Sequence, residues 1–232
     1  MAESAAKENP MSQQVLPFYL VCDESSSMSG EPVEAINRSL PWLHREIGGD
    51  PRVSGRARFC LVSFSHEAHV LLPLADLSAV TSIPALTPGG GTSYRVVLDL
   101  LRETIDKDVA ALRHDGHQVL RPAVFFLTDG RPNDAGEWPA AHRRVTDPSW
   151  DPRPDILTFG LGLADAPTIR RVATDRGFIA DGTLGPGRAL REFARSLIRS
   201  MAGSAASGAD GGMSPELPGE VPGFTAIPAD VT

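Results

Sequence analysis

Short, strongly apolar runs recur along this chain, most of them followed by a stretch with helical periodicity. They stand at 16–22 (L-P-F-Y-L-V-C), 57–64 (A-R-F-C-L-V-S-F), 68–74, 122–128 (P-A-V-F-F-L-T), 155–161 (D-I-L-T-F-G-L) and 177–180 (G-F-I-A). Each is too short for a core helix, and several are apolar at nearly every position. A strand without polar alternation must be covered on both faces, which is the situation inside a parallel sheet. Between the runs, Val33, Ile36, Leu40, Leu43 and Ile47 recur at three and four residues behind Pro32. Pro41 falls inside that pattern and predicts a kink or a break. A second helix is predicted over 93–112, with Val97, Leu100, Leu101, Thr104, Ile105 and Leu112 on one face. Asp165 and Pro167 open a short helix over 166–175, and Leu190, Phe193, Ala194, Leu197, Ile198 and Met201 mark a last amphipathic helix. Strands alternating with helices imply right-handed crossovers between parallel strands. The gap between 57–64 and 68–74 is too short for a crossover, so one strand there is antiparallel, at an edge. The predicted fold is α/β: a doubly wound, mostly parallel sheet with one antiparallel edge strand and helices on both faces.

The 232 residues, 41% hydrophobic and 22% charged, suit one such domain with short tails. Residues 1–14 are polar and aperiodic and read as a mobile N-terminal tail. Residues 203–232 are dense in Gly, Pro, Ala and Ser and read as a C-terminal tail without an apolar face to dock. The folded domain is expected over 15–202, with both tails dispensable. A net charge of -7 argues against a broad nucleic-acid or anionic-membrane footprint. The N-terminus has no basic and apolar leader pattern, and no window has eighteen apolar residues, so a cytoplasmic protein is expected. Cys22 and Cys60 each lie in an apolar run and read as reduced, buried thiols, with a bridge left open if the two strands are neighbours.

Three polar loops follow strand ends. The first, V-C-D-E-S-S-S-M-S-G, places Asp23, Ser25 and Ser27 at alternate positions. In an extended segment, residues two apart point the same way, so these three can converge while Glu24 and Ser26 point elsewhere. The second, P-G-G-G-T-S, leads into the second helix with Thr92, and its glycines allow close backbone approach. The third, L-T-D-G-R-P-N-D, follows the most apolar strand with Asp129. In a parallel sheet all three meet outside the carboxyl ends, where ligands of doubly wound folds bind. Two carboxylates and three hydroxyls form an all-oxygen set, suited to a hard divalent cation: Mg2+ first, then Mn2+ or Ca2+.

These motifs resemble the metal-ion-dependent adhesion site (MIDAS) of von Willebrand factor A (VWA) domains, which reads D-x-S-x-S, then a distant Thr, then a distant Asp. Here the parts are D-E-S-S-S, G-G-G-T and T-D-G, in the same order and on matching elements. The resemblance implies a VWA, Rossmann-like fold and a non-catalytic, metal-dependent protein-binding module. It implies Ser25, Ser27 and Thr92 as hydroxyl ligands, and Asp23 and Asp129 as carboxylates reaching the metal directly or through water. A further position is then open to a partner's acidic side chain. M-S-G-E-P-V-E-A and T-D-G-R-P-N-D are similar to the bacterial intracellular branch linked to tellurium resistance and stress response. That likeness suggests partners encoded nearby: kinase, phosphatase, ATPase or tellurium-resistance components. Ser26 departs from it, standing where many relatives carry Gly.

Other readings compete. Asp23 and its serines alone would make a polar turn with a helix cap. G-G-G-T alone would make a loop or an anion-binding nest, though it lacks the P-loop pattern. Asp134 either supports the metal from behind or caps the helix that follows. His114 and His117 read as solvated, and Trp42, Trp138 and Trp150 as packing residues. The alternative function is Mg2+-dependent phosphoryl transfer by a haloacid-dehalogenase-like enzyme using Asp23. That chemistry wants D-x-D after the first strand, and Ser25 occupies the second acidic position.

Overall fold

The computed structural model describes residues 13–50, 53, 55–162, 164–183 and 219–230, with single positions at 188, 191, 192, 195 and 198. Its strands are β1 (Gln14–Asp23), β2 (Ala57–Phe64), β3 (Ala68–Ala75), β4 (Gln118–Val119), β5 (Ala123–Thr128), β6 (Asp155–Gly160), β7 (Arg176–Ala180) and β8 (Phe224–Pro228). They form one sheet in the order β3-β2-β1-β5-β6-β7-β8, with β4 paired to the start of β1. The β1–β2, β1–β5, β5–β6 and β6–β7 pairs are parallel. β3 is the expected antiparallel edge strand beside β2. The helices are α1 (Glu31–Gly49), α2 (Tyr94–His114), α3 (Trp138–Val145) and α4 (Ala166–Val172).

The apolar runs lack alternation because the sheet has a core on each face. Phe18, Leu20, Cys22, Leu61 and Phe125 pack with Leu40, Leu43 and Ile47 of α1. Tyr19, Val21, Cys60, Val62 and Phe126 pack with Val97, Leu101 and Ile105 of α2 and Trp138 of α3. Cys22 and Cys60 therefore sit on neighbouring strands but in opposite cores. Both are free, and burial pushes both thiols well above their usual range.

α1 runs unbroken through Pro41, so of the expected kink or break, the break does not occur. Pro41 is exposed, and the donor it lacks falls on the solvent side, where water can serve the carbonyl left behind. α4 ends at Val172, short of the expected 175, because Thr174 turns back to β6 and exchanges bonds with Ile156 N–H and C=O. Of the last predicted helix, Ile198 is buried; Leu190, Phe193, Ala194, Leu197 and Met201 lie outside the described residues. So do residues 1–12 of the expected N-terminal tail, whereas Gln14 already belongs to β1.

The C-terminal tail expected over 203–232 is corrected at 219–230. β8 pairs antiparallel with β7 along the edge opposite β3. Val221 is buried, and the Phe224 ring meets that of Phe159 edge-on at 5.4 Å between centroids. Among the described residues no helix is long and apolar enough to cross a membrane.

Candidate metal centre

β1 and β5 lie side by side with Cys22 opposite Leu127, so the chain leaves both strands at the same edge. Asp23, the last residue of β1, is fully buried. Its Oδ1 accepts the Ser25 N–H at 2.9 Å, and its Oδ2 accepts the Thr128 hydroxyl at 2.7 Å. The Ser27 hydroxyl donates to Asp129 Oδ1 at 2.9 Å, and Ser25 Oγ lies 3.1 Å from Ser27 Oγ. Ser27 has one hydroxyl hydrogen and gives it to Asp129, so Ser25 is the donor between the two serines. A continuous polar path thus runs from buried Asp23 to Ser27, which is exposed.

Asp23, Ser25 and Ser27 do converge, but not on an extended segment. After Ser25 the chain enters a 3-10 turn over Ser26–Met28, and this turn swings Ser27 back beside Ser25. Ser26 tolerates the loop's backbone and ties it down: its N–H and its hydroxyl both donate to the Gly90 carbonyl, at 3.0 and 2.9 Å. Glu24 faces the same loop, its carbonyl accepting the Gly89 N–H and its carboxylate the Thr87 N–H.

These bonds hold the glycine run against the first loop, and the third loop holds it from the other side. The Thr92 N–H donates to Asn133 Oδ1 at 2.7 Å, and the Asn133 N–H donates to the Thr92 carbonyl at 2.7 Å. The close approach expected of the glycines is real at two positions. A Cβ on Gly90, whose φ is +77°, would lie 2.1 Å from His66 Nδ1, and one on Gly91 would lie 2.7 Å from Asn133 Oδ1. Thr92 is 6% exposed, and its hydroxyl has no hydrogen-bond partner among the described residues.

Among the described residues Asp134 makes no hydrogen bond to a candidate metal ligand, and its side chain does not cap α3. It caps α2: its carboxylate accepts the Ser93 hydroxyl at 2.7 Å and the Tyr94 and Arg95 N–H groups at 3.2 and 2.8 Å. Thr128, Tyr94 and Asn133 belong to the site's support and were not singled out from the sequence. The Tyr94 hydroxyl lies 3.1 Å from both Thr128 Oγ1 and the Gly130 carbonyl. Since Thr128 spends its hydrogen on Asp23, this chain of bonds locks the carboxylate from behind. Thr128 stands next to Asp129 in T-D-G, which is a signal that could have found it; Tyr94 and Asn133 carry no local signal.

Burial pushes the Asp23 carboxyl above its usual range, further than the hydrogen bonds from Ser25 and Thr128 pull it down, and the Asp129 charge adds to the rise. Among the described residues no basic side chain pairs with it. A buried carboxylate facing a second one is costly without positive charge. No group of three or more His, Cys, Asp or Glu among the described residues could hold a metal. The set here differs in kind: two carboxylates with hydroxyls, donors that suit a hard cation and disfavour soft metals.

A doubly wound sheet whose polar loops gather outside the carboxyl ends of its central strands defines an α/β domain that binds ligands at that edge. The profile of the von Willebrand factor type A domain matches residues 18–184, and the chain belongs to that family. Domains of this family bind divalent metal ions at their MIDAS, and generally mediate metal-dependent protein interactions without being enzymes. Among solved structures, a von Willebrand factor type A protein from Catenulispora acidiphila is similar at 18% identity and a TM-score of 0.61, over 82% of this chain and 43% of that one. The pilus adhesin SpaC from Lactobacillus rhamnosus GG, in its open conformation, aligns at 14% identity and 0.60, over 82% and 30%. Proximal thread matrix protein 1 from the mussel byssus, with a zinc-occupied MIDAS motif, aligns at 16% and 0.56, over 82% and 48%. The chain spans less than half the length of each. Comparison with curated proteins gave no match.

Proposed function

We propose that this chain is a non-catalytic, metal-dependent protein-binding module. Asp23, Ser25, Ser27, Thr92 and Asp129 hold one divalent cation, Mg2+ first, and a partner's carboxylate completes its shell. The observation that carries the reading is the buried Asp23 carboxylate, linked through Ser25 and Ser27 to Asp129 with no basic side chain among the described residues to balance it. The free hydroxyl of Thr92 fits the same purpose, and the mussel protein's zinc-occupied motif supports a metal at this edge of the fold. A bound cation supplies a hard positive centre that accepts an exchangeable oxygen ligand. The residues around it do the remaining work. Thr128 and Tyr94 fix the Asp23 carboxylate, Ser26 and Asn133 fix the loop that carries Thr92, and exposed Ser27 leaves the site open to solvent.

The wording of M-S-G-E-P-V-E-A and T-D-G-R-P-N-D supports a bacterial, cytoplasmic setting of the tellurium-resistance or stress type, with partners from neighbouring genes. The test is capture of native-cell proteins on wild type and on Thr92→Ala, each with Mg2+ and with EDTA. Thr92→Ala removes one ligand and little volume, so it should lose the Mg2+-dependent partners while keeping the wild-type melting temperature in EDTA. Partners that bind wild type equally well with and without chelator would refute a metal-bridged contact. Metal-dependent phosphatase turnover lost in Asp23→Ala would favour the phosphoryl-transfer reading instead.

A further inference from the structure

We propose that the β7 edge is a strand-acceptor site, filled in cis by this chain's own segment 219–230 and open to the same segment of a second copy. The contacts are those of a peptide laid on a sheet edge. The ladder pairs Arg176–Ala180 with Phe224–Pro228 over five residues, antiparallel. Backbone bonds extend it at both ends: Asp181 N–H to the Gly223 carbonyl, Ala229 N–H to that of Asp175, and Asp230 N–H to that of Arg170. The Arg176 guanidinium donates to the Gly219 carbonyl at 3.1 Å. Main-chain bonds of this kind give affinity to any extended strand, and side-chain pockets give selectivity.

Three side chains supply that selectivity. Val221 is buried in the core on the α1 face. Phe224 packs edge-on against Phe159 of the same core. Ile227 lies opposite Gly177, where a Cβ would come within 2.6 Å of Ile169 Cγ2 and 3.3 Å of Ile227 Cγ1. The absent side chain at Gly177 leaves the space over β7 that Ile169 and Ile227 border.

β8 touches the sheet along one strand alone, so it can leave without parting any other pair. Its departure would uncover β7, an apolar edge with unpaired backbone groups, which is a template for another strand. Twenty residues, 199–218, separate Ile198 from Gly219. Fully extended, that length spans up to about 70 Å, more than the roughly 40 Å breadth of a domain this size. The covalent link therefore does not confine the segment to its own sheet, and exchange between copies closes as a symmetric dimer. This site is independent of the metal centre and stands if that reading fails.

Two measurements test it. In the first, the full chain carries a protease recognition sequence within 203–212. After cleavage it is offered a fluorescent synthetic peptide of residues 217–232. The labelled peptide should bind saturably, be displaced by its unlabelled twin, and lose affinity roughly tenfold or more as the Phe224→Ala version. Uncut chain should bind far less, because its own segment competes at high effective concentration. A cut, folded chain that binds no peptide overturns the proposal. The second uses intact chain, and decides the matter if the cut chain does not fold. By amide hydrogen exchange, 224–228 should open well before β1 and β5. Exchange of β8 only together with β1, in global unfolding, overturns the proposal.

Discussion

Asp23→Asn separates what the buried carboxylate does for the fold from what it does for a cation. Without metal, the ionised group is served less well than in water: burial and Asp129 outweigh the bonds from Ser25 and Thr128. The amide keeps the shape, sheds the charge and its repulsion from Asp129, and its carbonyl still accepts the Ser25 N–H. The loss is the charge-assisted bond from Thr128, about 1.5–3 kcal/mol, set against relief of a desolvation cost of similar size. In EDTA the variant should therefore melt within a few degrees of wild type, or above it. With metal the two part. A ligand at a hundred times its Kd stabilises by about 2.7 kcal/mol, and a domain of this size gains roughly 2–4 °C per kcal/mol, so Mg2+ should raise the wild-type Tm by about 5–10 °C. Asp23→Asn should show almost none of that rise. Differential scanning calorimetry in EDTA and over a Mg2+ series reads both quantities. A variant that keeps the full Mg2+ rise would refute Asp23 as a ligand, and one that collapses in EDTA would refute the charge argument.

Other consequences follow from single contacts. Thr158 is fully buried in β6 and its hydroxyl has no partner among the described residues, so Thr158→Val should be neutral or raise stability by about 1 kcal/mol in urea titrations. Gly90→Ala places a Cβ against His66 at a left-handed φ; it should lower stability by about 1–3 kcal/mol and weaken Mg2+ binding measured by calorimetry, because Gly90 anchors Ser26 beside the ligands. His142 is buried with Nε2 donating to the Val172 carbonyl at 2.9 Å, and burial, helped by Arg171 and Arg143, holds its pKa below the usual value of 6.5. The unfolded chain then binds the proton first, so this contribution is complete above about pH 6.5 and declines as pH falls through that value toward the lower folded pKa. Melting temperatures taken from pH 7.5 to 5.5 should fall less steeply in His142→Gln than in wild type.

The sheet was legible because its strands are buried on both faces. A run such as P-A-V-F-F-L-T, Pro122 to Thr128, is too short for a core helix and too apolar for a loop, and the strand occupies all of it but the leading proline. The loops were legible because Asp23 and Asp129 end or directly follow such strands, and a parallel sheet puts those ends together. What the sequence hid has a common cause. Asp134 caps α2 from 40 residues away, and Asn133 grips Thr92 from 41, so neither bond leaves a mark in its own neighbourhood. β8 pairs through a backbone ladder, which leaves no periodic apolar pattern in the sequence, and it follows Pro222 and Gly223 and ends on Pro228, residues that read as loop. The 3-10 turn that returns Ser27 to Ser25 follows from the grip of Gly90 on Ser26, again a distant partner.

The strand order also fixes a schedule. β1 is made first, yet it lies between β2 and β5, and 105 residues separate Asp23 from its buttress Thr128. At roughly 5–20 residues per second, a ribosome needs about 5–20 s to add that stretch. Through that interval a strongly apolar strand of the nascent chain has one flank without its neighbour, and the Asp23 carboxylate stays in water, where its charge costs nothing. The edge that gathers Asp23, Ser27 and Asp129 is thus among the later features of the sheet to be assembled, after the chain has committed to β1 and β2.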